Sequence, residues 1–480
     1  MRPPPYIALN VRPRGRARRI GAADIVCAVV DEAQAGRLPP GSRLPPVRAL
    51  QLQLGVAKNT VQAAYDELAA RGLVQSRPRE GVFVAGPTAD APAPKLAFRP
   101  VAPTFRSPAI SDRSAAAPDT IELSTVHIDP KLLPRRQLDD CLRAVIAGPR
   151  FRWSYDPQGY GPLREVIAER MTARGMPAQP DDIVTTAGSQ QAIDAVVRAL
   201  ECRHIAHEDP VYAYARGLFA TYDARMTPLQ LDPFAAIDLE RWERDVALHR
   251  PHLFYAITSY QNPTGYSYST YELQRLLELS ERWNLPLAED DWGSDMLSGV
   301  EYRPTLRALG GRHVVYINSF TKKLLPALRL GYVAAAPHLI PGLVAAKRVC
   351  TLGNASLLEA ALCEFLQRGY YDTHLRHIQA ELDRRYQRCL ELLRERLADG
   401  VRFSTPGGGP TLWVDLPREV SMVELRTVMA ERGVMIDNCD PHFSGRPHLN
   451  GFRIGYAYLD SARLERGIDV LAECLRRWLR

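Results

Sequence analysis

The first 86 residues contain stretches with the apolar spacing of short amphipathic helices. The segment "AADIVCAVVDEAQAG" gathers its apolar residues on one face and predicts a helix that ends at Gly36. Two prolines precede "VRALQLQL". Prolines suit a helix start because N–H groups of the first turn have no intrahelical acceptor, so the absence of one costs little. In that second predicted helix Leu50 and Leu54 share one face, and Gly55 ends it.

A third helix and a hairpin complete the pattern of this region. Val61, Tyr65 and Leu68 recur at the i, i+4, i+7 spacing of a buried helix face. The next stretch, "LVQSRPREGVFVA", alternates apolar and polar residues on both sides of a polar turn and predicts two short strands. Three helices with a tight turn between the last two, followed by a hairpin, predict a winged helix-turn-helix domain over residues 1–86.

This arrangement identifies candidate DNA-binding residues. In such domains the second helix of the pair enters the major groove by its N-terminal residues, and basic side chains around it contact phosphates. The residues predicted to face DNA are Arg43, Arg48, Lys58, Asn59, Thr60, Arg77 and Arg79. The alternative is a small helical domain that binds another protein, because helix triplets of this length are common.

The charge distribution favours a nucleic-acid partner. Residues 1–86 hold 13 lysines and arginines against 6 acids, whereas the remainder holds 48 of each, so the whole net charge of +7 lies in the first fifth of the chain. A basic module on a neutral body indicates that the head alone binds a polyanion such as double-stranded DNA. Five arginines crowd into residues 11–19, so charge alone is equally consistent with a solvated basic tail.

The rest of the chain divides into a linker and a large α/β body. Residues 87–118 are rich in Pro, Ala and Ser, lack apolar periodicity and predict a semi-extended tether. Over residues 119–480, strand-like segments such as "DDIVTTAG" and "HVVYINSF" alternate with helix-like ones such as "STYELQRLLELSERW". This alternation predicts a mainly parallel sheet covered by helices, in which ligands bind at the carboxyl ends of the strands.

Polar residues follow four of the predicted strands. The cofactor candidates at the first turn are Gly188, Ser189 and Gln190, whose N–H groups would open a helix and suit a phosphate. Asn262 follows the next strand, and Asp290 and Lys322 follow two more. Each motif alone has an ordinary explanation: a strand-to-helix turn, an Asn-Pro turn or a solvated acidic loop.

Together these residue types are the set that pyridoxal phosphate requires. A lysine amine forms the internal aldimine, and a carboxylate keeps the pyridine nitrogen protonated so that the ring withdraws electrons. An amide or phenol bonds the ring oxygen, and N–H donors with an arginine hold the phosphate. The four strand ends carry the members of this set one after another along the chain, so coincidence is a poor explanation.

Composition limits the cellular setting. No apolar run approaches the ~20 residues that span a bilayer, so neither a signal peptide nor a membrane anchor is predicted. The eight cysteines are scattered singly, without a CxxC pair, which is typical of reduced thiols in a cytoplasmic protein and gives no metal site. His204 and His207 beside two acids lack the further ligands that a metal centre would need.

Two motif sets carry a family resemblance. The head, through "LPPGSRLP", "RAL", "LGV", "NTV" and "GVFV", resembles the GntR-type DNA-binding domain over about 60 residues. The body resembles a fold-type I aminotransferase, with a small C-terminal α+β subdomain, through "YDPQGYGPLREVIAERM", "AGSQQA", "EDPVY", "NPTG", "EDD" and "SFTKKLLPALRLGY". The chain thereby resembles the MocR family of transcriptional regulators over essentially its whole length, which implies a homodimer that binds pyridoxal phosphate.

The resemblance also implies individual roles. Lys322, directly after Ser-Phe-Thr, matches the Schiff-base lysine, and Arg453 matches the arginine that binds a substrate's α-carboxylate. Tyr155 matches a tyrosine that, in related dimers, reaches the phosphate of the partner subunit. The remaining matched cofactor residues are Tyr212 against the ring, Asn262 at the ring oxygen, Asp290 at the pyridine nitrogen, Arg329 at the phosphate, and Ser319 and Thr321 of the Ser-Phe-Thr motif.

Trp292 stands where the family usually has a tyrosine near the ring oxygen, and its indole donates one hydrogen bond but does not ionise. Lys323 falls at a position where the family accepts many residues, so we expect it on the surface or near the phosphate.

Three functions are compatible with these observations. The first is a regulator that senses an amino compound, or pyridoxal phosphate itself, through external aldimine formation at Lys322, with Arg453 indicating a carboxylate on the effector. The second is a working aminotransferase with a secondary head. The third is a DNA-binding protein whose body serves only for dimerisation, and the retained Lys322, Asp290 and Arg329 argue against it.

Overall fold

A computed structural model describes residues 6–13, 20–85, 119–149, 154–296 and 304–479. The chain divides into two compact units, residues 1–104 and 105–480. The predicted linker at 87–118 and the arginines of residues 14–19 lie outside the described residues.

The N-terminal unit has the predicted winged helix-turn-helix order. Its elements are α1 (Ala22–Gln34), α2 (Val47–Leu54), α3 (Lys58–Ala70), β1 (Val74–Arg77) and β2 (Gly81–Val84). Leu50, Val61, Tyr65 and Leu68 are buried, as their spacing predicts. Gly55 ends α2 in the left-handed conformation at φ 64°, which is readily adopted only without a Cβ. The strands pair antiparallel as a hairpin.

The second unit contains a large α/β layer built from alternating strands and helices. Its elements up to the long helix are β3 (Ile121–Glu122), α4 (Arg135–Ala147), α5 (Gly161–Ala173), β4 (Ile183–Thr186), α6 (Ser189–Ala199), β5 (His204–Asp209), α7 (Ala213–Thr221), β6 (Arg225–Gln230), α8 (Leu239–His249), β7 (Leu253–Ala256), α9 (Thr270–Trp283), β8 (Leu287–Asp291), α10 (Leu306–Gly310), β9 (Val314–Ser319), β10 (Gly331–Ala334), α11 (Ile340–Thr351), α12 (Ser356–Gln367) and α13 (Tyr370–Arg396).

Seven strands form the central sheet in the order β4-β10-β9-β8-β7-β5-β6. The pairs from β9 to β6 are parallel, and β10 is antiparallel to both of its neighbours. The reversal at β10 follows from its connection, because the short segment from β9 to β10 contains no crossover helix, which a parallel pair would need. The prediction of a mainly parallel sheet is confirmed.

Helices cover both faces of this sheet. Leu253 and Tyr255 of β7 join one apolar cluster, whereas Phe254 and Ala256 join another. Alternate residues of one strand are therefore buried on opposite faces, which explains why the strand segments read as continuous apolar runs rather than as alternating ones.

The C-terminal part forms a smaller α+β layer, as predicted. Its elements are β11 (Arg402–Phe403), β12 (Leu412–Asp415), α14 (Met422–Glu431), β13 (Val434–Met435), β14 (Gly451–Ile454) and α15 (Ser461–Leu475). Strands β11, β12 and β14 make an antiparallel sheet, and β13 pairs in parallel with β3. This layer has its own apolar core around Trp413 and Phe452 and presents Arg453, in β14, towards the large sheet.

Candidate functional site

A cavity of about 340 Å³ lies where the parallel strands end. Its volume is in the range of small-molecule sites, about 300–1,000 Å³. The residues that line it are Val126, His127, Ser189, Gln190, Tyr212, Ala213, Tyr214, Ile257, Asn262, Asp290, Trp292, Ser319, Thr321, Lys322, Arg329, Asp437, His442 and Arg453. The sheet topology thus brings together all the predicted cofactor side chains except Tyr155.

Lys322 lies on the segment between β9 and β10, and its amine is in the cavity. Its Nζ atom is 3.3 Å from Nδ1 of His127, a residue that comes from the start of the second unit. Since a neutral imidazole nitrogen accepts a hydrogen bond, His127 is placed to accept one from this lysine.

The neighbouring Lys323 lies elsewhere, and the expectation for it was wrong. It is fully buried rather than exposed, and it is absent from the lining of the cavity. Its Nζ donates to Oδ1 of Asn318 at 2.7 Å and lies 2.8 Å from Oδ1 of Asp295. Successive residues point in opposite directions here, so one amine enters the cavity and the other enters the protein core.

Asp290, in β8, forms the acidic wall of the cavity. Its Oδ2 accepts a hydrogen bond from the Tyr255 hydroxyl at 2.7 Å. Burial raises the pKa of the Asp290 carboxyl to about 7, although the Tyr255 hydrogen bond acts to lower it. Its Oδ1 has no hydrogen-bond partner within the described part of the chain.

The opposite end of the cavity has the donors that an anion needs. Helix α6 begins at Ser189, so its first N–H groups have no intrahelical acceptor and carry the positive end of the helix dipole. Its N-cap, Gly188, has φ 88° and ψ 176°, and a Cβ there would lie 3.2 Å from Nη2 of Arg329. Thr321 is buried, and its Oγ1 has no partner among the described residues. The Ser319 hydroxyl accepts from the Thr321 N–H at 3.2 Å and shapes this turn.

Arg453 and Asn262 face the cavity but contact each other. The Nη1 of Arg453 donates to Oδ1 of Asn262 at 2.6 Å, and its Nη2 is 2.6 Å from Oδ2 of Asp437. Its Nε donates to the carbonyl of Ser124 at 3.1 Å. The guanidinium that sequence matching assigns to a substrate carboxylate is therefore already paired with an acid of the same chain.

Trp292, Gln190 and Tyr212 are three further predicted residues that line the cavity. The indole N–H of Trp292 donates to the carbonyl of Tyr260 at 3.1 Å. Gln190 donates to the carbonyl of Tyr214 at 3.0 Å, and the ring of Tyr212 lies 5.6 Å from that of Tyr214. The indole thus contributes its apolar surface to the cavity, in a position where a tyrosine would offer a hydroxyl.

Apart from Gly188, which adjoins the lining residue Ser189, Tyr155 is the predicted cofactor residue that does not line the cavity. Its side chain is exposed, and its ring lies over Gly353, where an added Cβ would meet Cδ2 at 2.6 Å. The role expected for it concerns a partner subunit and stays a prediction.

Sequence reasoning missed several residues of the site, among them His127, Asp437 and His442. His127 is far along the chain from Asp437 and His442, which share one short segment, and none of the three follows a strand that the sequence predicts. The acids of "MIDNCD" were the only available signal for Asp437, and that stretch has no periodicity that would direct them inward.

The predicted DNA-facing residues lie on the surface of the N-terminal unit. Lys58 and Asn59 are exposed in the first turn of α3, with Thr60 half-buried beside them. Arg48, Arg77 and Arg79 are exposed as well, and the Arg77 guanidinium stacks 4.6 Å from the centre of the Phe83 ring. Arg43 is partly buried beneath the hairpin, against Gly81.

Two kinds of feature are absent from the described residues. None of their helices has the length and apolar character needed to cross a membrane. They also contain no group of three or more His, Cys, Asp or Glu side chains with the geometry of a metal site. His204 is hydrogen-bonded to Thr227 at 2.7 Å, and His207 to the carbonyl of Glu208 at 2.6 Å.

Comparison with known proteins agrees with the two-part organisation. Residues 22–84 match the family "Bacterial regulatory proteins, gntR family", and residues 133–471 match "Aminotransferase class I and II". The uncharacterized HTH-type transcriptional regulator YdcR of Escherichia coli is 27% identical, over 94% of this chain and 97% of its own. The probable rhizopine catabolism regulatory protein MocR of Rhizobium meliloti is 29% identical, over 92% and 90% respectively.

A solved structure shows the same body fold. LysN of Thermus thermophilus, an alpha-aminoadipate aminotransferase complexed with N-(5'-phosphopyridoxyl)-L-leucine, superposes with a TM-score of 0.70 at 28% identity, over 75% of this chain and 93% of its own. The chain belongs to the class I and II aminotransferase family and carries a gntR-family head, the combination found in the MocR-type transcriptional regulators.

Proposed function

We propose that this protein is a DNA-binding transcriptional regulator whose body holds pyridoxal phosphate on Lys322 and responds to an amino compound. One observation carries the proposal: the Lys322 amine, a buried carboxylate oxygen of Asp290 and a buried hydroxyl of Thr321 border one cavity, and the last two lack partners among the described residues. Buried polar atoms are normally hydrogen-bonded, so an unpaired acceptor and an unpaired hydroxyl in one cavity indicate a polar ligand there.

Besides Lys322, the residues fit that cofactor at two points. Asp290 would pair with the pyridine nitrogen, whose positive charge would keep the buried carboxylate ionised. The start of α6, with Thr321 and Arg329, would hold the phosphate. When bound, the cofactor supplies an electron-withdrawing ring and an aldehyde carbon that reacts with amines.

The chain's own residues would then couple binding to the DNA-binding head. An effector amine would compete with Lys322 for the aldehyde that the cofactor would supply, and His127 would hold the Lys322 amine by a hydrogen bond once that amine is no longer attached. A body with a detached Lys322 and a bound effector would differ in its contacts from one with a tethered lysine, so the effector would shift the balance between two conformations. We propose that this shift alters DNA binding by a homodimer.

Absorption spectroscopy and DNA binding test the proposal together. Wild-type protein should show a near-visible band that borohydride fixes covalently, and Lys322→Ala should bind the cofactor without that covalent link. An amine that shifts the band in wild type should change operator affinity, and Lys322→Ala, which has no lysine to release, should lose that change in operator affinity. Protein that stays colourless with added pyridoxal phosphate would exclude the proposal. Sustained turnover with a keto acid, without sequence-specific DNA binding, would favour the aminotransferase function instead.

A further inference from the structure

The ion pair between Arg453 and Asp437 determines the charge of the cavity beyond the cofactor residues. Their Nη2 and Oδ2 atoms are 2.6 Å apart, and their side chains are 9% and 16% exposed. The other two nitrogens of the guanidinium donate to Asn262 and to the Ser124 carbonyl. A carboxylate from a ligand would therefore have to displace a neighbour that already satisfies the arginine.

Among the described residues, the lysines and arginines that line the cavity are committed before a ligand carboxylate could bind. The lysines, arginines and acids that line it are Lys322, Arg329, Arg453, Asp290 and Asp437. In the proposed function Lys322, Arg329 and Asp290 serve the cofactor. Arg453 and Asp437 neutralise each other. His442 also lines the cavity, but burial, together with the charge of Arg453, lowers its pKa to about 3, so it is neutral at physiological pH.

We propose that the site selects primary amines whose remaining groups are neutral or cationic, such as amino alcohols and diamines, and that Asp437 imposes this selection. The inference rests on the proposed function, and it replaces the expectation of a carboxylate on the effector. Its physical basis is that an anion added to a partly buried, neutral ion pair must either stay uncompensated or expel the aspartate, and a buried unpaired charge is strongly unfavourable. Without the Asp437 charge, Arg453 would regain its capacity for a bidentate carboxylate contact.

Matched ligand pairs test this selection on full-length protein loaded with pyridoxal phosphate. The pairs are L-alanine and ethylamine, L-serine and ethanolamine, and L-ornithine and putrescine, which differ within each pair by the carboxylate. Apparent Kd values come from the change in the near-visible band, for wild type, Asp437→Asn and Asp437→Ser. Taking the ratio of variant to wild type for each ligand cancels differences in amine basicity. Asp440→Asn, an exposed acid on the same segment, is the control for net charge.

We expect wild type to bind the amine of each pair more tightly than the amino acid. Asp437→Asn should tighten amino-acid binding at least tenfold relative to its effect on the paired amine, whereas Asp440→Asn should leave that ratio as it is in wild type. Equal changes for both members of each pair, or amino acids preferred by wild type, would overturn the inference alone. A loaded protein whose band responds to none of the six ligands, in any variant, would overturn the proposed function and this inference with it.

Discussion

The ammonium of Lys323 lies 2.8 Å from the carboxylate of Asp295, and the lysine is fully buried. Asp295 also accepts a hydrogen bond from the Tyr371 hydroxyl at 2.7 Å. The pair connects the β9–β10 segment with the region after β8 and with α13, so it braces the segment that carries Lys322 from its inner side.

We predict that Lys323→Met destabilises the protein strongly while leaving the cofactor attached. Removing one partner of a buried pair leaves an uncompensated charge and costs about 3–5 kcal/mol. Urea unfolding of the cofactor-free protein measures the loss, and borohydride fixation measures attachment. Lys322→Met is the matched control and should show the reverse, with little loss of stability and no covalent link. A loss below about 1 kcal/mol in Lys323→Met would contradict a buried pair.

A second prediction concerns the pH dependence of stability. Burial raises the pKa of Asp290 to about 7, so the folded cofactor-free protein binds more protons than the unfolded chain between that value and the ordinary aspartate range. The free energy of unfolding of wild type should therefore fall relative to that of Asp290→Asn as the pH rises through this window. The slope should be at most about 1.4 kcal/mol for each pH unit.

The measurement for Asp290 is urea unfolding of both cofactor-free proteins at pH 5 and pH 8. The asparagine keeps an acceptor for Tyr255, so the comparison isolates the charge. A difference between the variants that is the same at both pH values would show that Asp290 titrates normally. With pyridoxal phosphate bound, wild type should instead be more stable than Asp290→Asn, because the neutral amide gives the ring nitrogen no counter-charge.

The third prediction tests the anion-binding turn. Gly188 has a backbone conformation that is essentially reserved for glycine, and a Cβ there would press on the Arg329 guanidinium. Gly188→Ala should therefore weaken pyridoxal phosphate binding at least tenfold, as measured by equilibrium dialysis. Gly445→Ala is the matched control, since a Cβ there meets open space, and it should bind the cofactor as wild type does. Equal affinity in Gly188→Ala would exclude this turn from the phosphate site.

A fourth prediction separates two roles for Trp292. Because its N–H donates to the Tyr260 carbonyl, Trp292→Phe should cost about 1–3 kcal/mol of stability through an unsatisfied buried acceptor. The near-visible band of the loaded protein should keep its position and its pH dependence. A displaced band would mean that the indole N–H serves the cofactor rather than the backbone.

The fifth prediction concerns the head. Arg79→Ala should weaken binding to all DNA sequences alike and lower the slope of log affinity against log salt by about 1 for each phosphate that the variant no longer neutralises. Asn59→Ala should instead cost about 1–3 kcal/mol at one base pair and relax specificity there. Arg71→Ala, an exposed arginine at the other end of α3, is the control and should affect neither. Equal effects in all three variants would indicate a non-specific charge effect.

The sequence was sufficient to predict the site residues that follow strands. In a parallel sheet the carboxyl ends meet at one edge, so the positions of Asp290 and Lys322 along the chain already imply their proximity. The helix starts of the head were predictable for a similar reason, because local spacing and proline placement determine them.

The remaining features depend on packing between distant segments. The direction of the Lys323 side chain depends on the position of Asp295. Because this acid lies far back along the chain, no local pattern in the sequence indicates that the two residues pair. The same holds for His127, which approaches Lys322 from 195 positions away. Arg453 lies in the cavity, at the position that the sequence motif indicated. Its ion pair with Asp437 depends on the course of an irregular segment, which no periodicity in the sequence describes.

The reversed strand β10 has a consequence for how this chain tolerates insertions and deletions. Lys322 and Arg329 lie on one short segment that is held at both ends by the same pair of hydrogen-bonded strands. A residue added or removed there cannot be absorbed by sliding a strand, because a one-residue shift would exchange the two buried faces of β10. The distance between the two groups is therefore set by segment length as firmly as by residue identity, and length variation among relatives should be confined to other connections.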